Sequence, residues 1–105
     1  SSSEESSEQI KQRVNHARLI QKNRYKEFGI YSNGELSTKL IEKFCEIKLS
    51  SREILKKYFQ KNNLSARSYS KILKVARTIA DLDEVEEIED VHILEAIHYR
   101  SLDKR

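Results

Sequence analysis

Proline is absent from the 105 residues, glycine occurs twice, and aromatic residues make up only 8%. A sandwich or barrel needs a tight turn every few residues, and this chain has almost nothing with which to make them. The single cysteine, Cys45, has no intramolecular disulfide partner and cannot hold a metal alone. That excludes a disulfide-stapled secreted scaffold and a zinc finger, and fits a reducing, intracellular setting. No apolar run approaches the roughly 18 residues of a membrane span, and the N-terminus is Ser/Glu-rich where a signal peptide would be basic and then apolar. A soluble chain with no membrane partner is expected. Methionine is missing too, initiator included, so the chain reads as a piece of a longer protein.

With 37% hydrophobic and 35% charged residues, one modest core can form, burying roughly two-thirds of the unfolded surface. Charge is unevenly spread. Residues 1–9 carry three acids and no base, residues 10–77 carry 17 bases against 5 acids, and residues 78–95 carry 8 acids and no base. A basic block followed by an acidic one can orient a domain toward a phosphate-bearing partner, unless folding interleaves the two and cancels the field.

Apolar periodicity predicts an all-α fold, a compact bundle of about five helices. Residues 1–6 read as a disordered acidic, Ser-rich leader and residues 7–105 as the helical domain. Ser6 and Gln9 have capping-box spacing, and Ile10, Val14, Ala17, Gln21, Tyr25 and Phe28 mark one face of a first helix reaching about Phe28, with Gly29 as its C-terminal cap. Ser32 with Glu35 predicts the start of a second helix (Leu36, Leu40, Phe44, Ile47), with Cys45 beside its stripe as a small buried hydrophobe. Ser50 with Glu53 predicts a third, carrying Ile54, Leu55, Tyr58 and Phe59 and stopped at Lys61-Asn62-Asn63. The fourth has the clearest start, Ser65 as N-cap and Leu64 at staple spacing from Tyr69. Its Tyr69, Ile72, Leu73, Ala76, Ile79 and Ala80 project to one side, while Arg67, Lys71, Lys74 and Thr78 fall within about 60° on another. Residues 81–90 read as a solvated acidic connection, with Ile88 tucked inward. A last helix follows, with Val91, Leu94 and Ile97 expected inward, Ile93, Ala96 and Arg100 alongside them, and an acid, Glu89 or Asp90, at its positive N-terminal end.

Catalytic patterns are missing. His16, His92 and His98 include no i, i+4 pair for a metal and read as surface or half-buried side chains; HExxH, GxxxxGK[ST] and GxGxxG are absent. No catalytic or metal-binding residue is therefore expected within this piece alone. The best-placed binding residue is Arg67. A planar guanidinium suits phosphate oxygens, and the first turn of a helix adds free backbone N–H groups and the favourable end of the dipole.

The run LSARSYSKILKVARTIADL at residues 64–82, followed by HILEAIHYRSLD at 92–103 and preceded by QIKQRVNHARLIQKNRY at 9–25, closely resembles the C-terminal domain of magnesium-chelatase-like AAA+ ATPases of the bacterial competence-protein (ComM/YifB) type. The resemblance covers most of residues 9–103, though residues 28–63 match mainly in hydrophobic pattern. It implies a helical AAA+ lid, in which Arg67 matches the sensor-2 arginine that sets a positive charge near the ATP γ-phosphate. It also implies a cytoplasmic bacterial parent ATPase using ATP and Mg2+, with phosphate loop, magnesium motif and arginine finger in an upstream core outside this chain. The fragment alone would bind neither. The implied partners are the AAA+ core of the same chain, neighbouring subunits in a hexameric ring, and DNA as the parent's substrate in competence or recombination. The alternative reading is an independent helical DNA-binding or protein-docking module using the basic face.

Overall fold

The computed structural model describes residues 5–103; the expected disorder of residues 1–4 lies outside them. Five α-helices form the described chain: α1 (Ser7–Tyr25), α2 (Thr38–Phe44), α3 (Leu49–Asn62), α4 (Ala66–Leu82) and α5 (Asp90–Asp103). Short 3₁₀ turns span Lys26–Phe28 and Asn33–Glu35, and the only strand-like pairing described is a parallel bridge between Ile47 and Ile88. The fold is the expected all-α bundle.

Helix α4 is the hub, packing on α5, α1, α2 and the 3₁₀ turn at Asn33–Glu35, while α3 packs on α5. Its sequence explains this role. Ile72, Leu73, Ala76, Ile79 and Ala80 are all buried, and the two alanines at 0% exposure let neighbouring backbones come close. Tyr25, Leu55, Ile88 and Ile93 complete the interior. Each such side chain, fully buried, contributes about 1.5–3 kcal/mol.

Two helix starts and one helix end were legible as capping chemistry. At Ser6, the side chain accepts from the Gln9 N–H at 3.1 Å and Gln9 returns a bond to the Ser6 N–H at 2.9 Å. Ser65 accepts from the Ser68 N–H at 3.3 Å, and Gly29 takes the left-handed conformation (φ 73°) that ends the first helical run. The α-helix itself stops at Tyr25, the 3₁₀ turn carrying the chain on to Phe28.

Two capping expectations are corrected. Ser32 opens only the 3₁₀ turn, its hydroxyl bonding the Glu35 carboxylate, and α2 begins five residues later with Ser37 accepting from the Leu40 N–H at 3.3 Å. Ser50 caps nothing: α3 already begins at Leu49, and the hydroxyls of Ser50 and Ser51 donate to Asp90 at 2.8 and 2.6 Å. A serine three residues before Glu fits either arrangement, and here a tertiary acceptor won.

The inward face of α5 is also rotated from its expected position. Ile93 and Ala96 are buried with His92, whereas Val91 and Leu94 are 59% and 52% exposed. His92, expected to be surface or half-buried, is 2% exposed, its Nδ1 accepting from the Glu89 N–H at 2.9 Å and its Nε2 lying 3.2 Å from Asp83.

Candidate functional site

Arg67 occupies the first turn of α4 and is exposed, as its spacing required. The chain has no acidic residue between Glu53 and Asp81, and among the described residues Arg67 has no ion-pair partner. A second guanidinium approaches the same turn. Arg100 of α5 is half-buried and donates to the Ser68 hydroxyl at 3.4 Å, so two arginines flank the end of the helix whose backbone N–H groups point outward. This end of α4 is suited to an anion.

The basic stripe below Arg67 is only partly solvent-facing. Lys71 is exposed, but Lys74 is half-buried and its ammonium donates to the Gly34 carbonyl at 3.1 Å. Thr78 turns inward, donating to the Lys74 carbonyl and accepting from the Asn33 amide at 3.0 Å. The lower half of the stripe therefore holds the 33–35 turn.

A buried polar cluster, absent from the sequence-based expectations, lies at the other end of α4. Asp81, 2% exposed, receives Arg24 through both oxygens at 3.1 and 2.6 Å, and Arg77 lies 3.3 Å from it one helical turn back. Asn33 adds an amide bond at 3.0 Å and is itself held by the Tyr25 hydroxyl and by the Gln21 side chain, which accepts from its backbone N–H. Burial alone would lower the Arg24 pKa, but the bonds to Asp81 and Tyr25 hold it above its ordinary value, so it is always charged. Burial raises the Tyr25 phenol, with Arg24 opposing. The acidic connection is thus not simply solvated: Asp81 belongs to α4, Asp90 to α5, and Glu89 pairs with Lys48. One signal was available. Asp81 falls four residues after Arg77, the spacing of an ion pair along one helix face.

Cys45 is 2% exposed, and burial pushes its thiol up to about 11, which keeps it a protonated, inert core side chain at neutral pH. Among the described residues no group of three or more His, Cys, Asp or Glu could hold a metal ion, and no helix is long and apolar enough to cross a membrane.

A family profile described as the C-terminal part of magnesium chelatase subunit ChlI matches residues 4–100. The chain is 38% identical over 98 residues to competence protein ComM of Haemophilus influenzae, covering 93% of this chain and 18% of that protein. Proteins called YifB from Escherichia coli and Salmonella typhimurium are 37% and 35% identical over 100 residues, or 95% of this chain and 19% of each relative. The chain thus spans about a fifth of the length of the curated relatives it matches.

Proposed function

The chain belongs to the family of the magnesium chelatase ChlI C-terminal domain, and from that membership we propose that it is the sensor-2 lid of an AAA+ ATPase, with Arg67 reading the γ-phosphate of bound ATP. The observation that carries the reading is an exposed arginine, unpaired among the described residues, in the first turn of α4 on a segment otherwise without acids. A guanidinium in that place stabilises negative charge as it builds on the transferred phosphoryl oxygens. Arg67, with Arg100 behind it, fits a phosphate; Mg2+ has no ligand cluster among the described residues, so it would be held by the part of the parent that carries the phosphate loop.

In this reading the domain is a sensor and a lever. Hydrolysis and release of nucleotide change what Arg67 contacts, and the rigid α4 hub passes that change to the rest of the bundle and to neighbouring subunits of a ring. The parent is an ATP-driven cytoplasmic machine acting on DNA. Support for this comes from the resemblance and from a relative whose name assigns it to competence.

The test is ATP turnover by the full-length parent carrying Arg67→Ala or Arg67→Lys, with and without DNA. Both variants are expected to lose about 100-fold in turnover or more while nucleotide affinity changes far less. The lysine variant should fail too, because a point charge does not reproduce the planar fork. Turnover at the wild-type rate in both would reduce Arg67 to a surface charge and end the sensor reading.

A further inference from the structure

A cleft of about 620 Å3 opens between α1, the end of α2, the last turns of α4 and the connection that follows them. Its inner end is the polar cluster. Arg24, Arg77 and Asp81 line it, and two guanidinium groups against one carboxylate leave one positive charge in excess. Half-buried Ile20, Phe44 and Val85 give it apolar walls. The charges at its outer end are exposed: Lys43 of α2, whose ammonium lies 5.8 Å from the centre of the Phe44 ring, and Glu84 and Glu86 of the connection.

Arg77 is short of acceptors. It is 5% exposed, its Nη2 faces the Val85 carbonyl at 3.0 Å and Asp81 at 3.3 Å, and its Nε is buried with no hydrogen-bond partner among the described residues. Asp81 cannot supply one. A carboxylate offers about four acceptor positions, and here Arg24 takes two, Asn33 one and the Nη2 of Arg77 one. A buried guanidinium without enough acceptors is costly. The group that completes a guanidinium best is an anion with paired oxygens.

We propose that this cleft binds a small zwitterion, its carboxylate turned inward to Arg77 and its ammonium outward to Glu84 and Glu86. The arrangement of charge selects that class. With His16 counted as neutral, the lining cations Arg24, Lys43 and Arg77 equal in number the lining acids Asp81, Glu84 and Glu86, which favours a ligand of no net charge. The excess cation is at the buried end, whereas Glu84 and Glu86 are exposed and in no ion pair among the described residues, so the ligand's own charges are separated in the same sense. A phosphate would carry its whole negative charge past those two acids. The apolar walls accept a short hydrocarbon stem, and the volume lies within the roughly 300–1,000 Å3 of small-molecule sites. The sensor reading of Arg67 plays no part in this inference.

Saturation-transfer NMR on the full-length parent tests it, with 4-aminobutyrate as the probe and butyrate, butylamine and inorganic phosphate as comparisons. The probe should give a saturable signal. Butyrate, lacking the exposed ion pair, should bind about fivefold more weakly, and butylamine, lacking the charge-assisted bond to Arg77, about tenfold more weakly or worse. Phosphate should not displace the probe. Glu84→Gln combined with Glu86→Gln changes only exposed side chains and should make 4-aminobutyrate and butyrate bind alike. Arg77→Gln should abolish binding; circular dichroism checks that this buried change leaves the fold intact, and the glutamate variant carries the test if it does not. The proposal is overturned by the lack of a saturable signal, by butyrate, butylamine or phosphate binding as well as the probe, or by a preference for the probe that survives in the glutamate variant.

Discussion

Asp81 carries the largest local consequence in the bundle. It accepts from Arg24 and Asn33 and pairs with Arg77, so one buried carboxylate balances two guanidinium groups whose side chains are 19% and 6% exposed. The Nη2 of Arg77 that faces Asp81 also donates to the Val85 carbonyl at 3.0 Å, holding the acidic connection to α4, while its buried Nε has no partner among the described residues. Asp81→Asn keeps the shape but leaves both cations uncompensated. Removing one partner of a buried pair costs about 3–5 kcal/mol, and the partial exposure of Arg24 brings the expectation to about 2–3 kcal/mol, read as a lowered urea midpoint at unchanged slope. A loss below about 1 kcal/mol would mean that the cluster is no stability element. Such clusters are hard to read from one sequence because a carboxylate in an acidic run looks solvated until its distant partners, here 57 and 48 residues away, are known. Arg67, by contrast, needed only its own helix start to be found, and the structure leaves it where local chemistry put it.

At the scale of the element, the start and the apolar face of the strongly periodic α4 were legible, its last turn at Asp81 was not, and the boundaries and faces of the weakly periodic helices were less so. The apolar positions of α4 recur without interruption and its cap is local, so nothing distant could shift its start. The starts of α2 and α3 depend on which acceptor a serine chooses, and α5 offers apolar residues around most of its circumference, so its inward face is chosen by the fit of Ile93 and Ala96 against α4 rather than by pattern. The choice made by Ser50 and Ser51 has a measurable result. Hydrogen bonds from Ser51 and then Ser50 hold the Asp90 carboxyl below its ordinary range. A carboxylate whose folded pKa is depressed adds stability that is present above the unfolded value of about 3.9 and is lost as pH falls through the lower folded value. The link between α3 and α5 should therefore persist to below about pH 4, and Ser51→Ala should move its acid loss upward toward the ordinary aspartate range. NMR titration of the Asp90 carboxyl carbon reads this directly. A titration midpoint unmoved by Ser51→Ala would assign the depression to another source.

For the whole molecule, part of the contrast between the basic and acidic blocks resolves into internal pairing. Asp81 takes Arg24 and Arg77, Glu89 takes Lys48, and Asp83 faces His92, so acids after residue 80 knit together α1, α3, α4 and α5 rather than forming one pole of a field. Helix α1 gains most from this. Beyond the 3₁₀ turn that follows it, its main packing partner is α4, and its buried residues are only Ala17, Gln21 and Tyr25, while Ile10 and Leu19 are 46% and 56% exposed. With so little apolar area in the contact, the Arg24–Asp81 pair and the Asn33 bonds to Gln21 and Tyr25 form much of its attachment, all of it at the C-terminal end. Native-state hydrogen exchange should then show α1 opening at lower free energy than α4 and α5, with its first two turns the least protected. Asp81→Asn should speed exchange at residues 17–25 by at least tenfold more than at residues 93–97, because it removes the attachment and leaves the α4–α5 packing intact. Equal acceleration of both would show instead that the bundle opens only as a unit. In that case a pull on α1 would reach Arg67 through the whole fold, with no separate hinge at the Arg24–Asp81 pair.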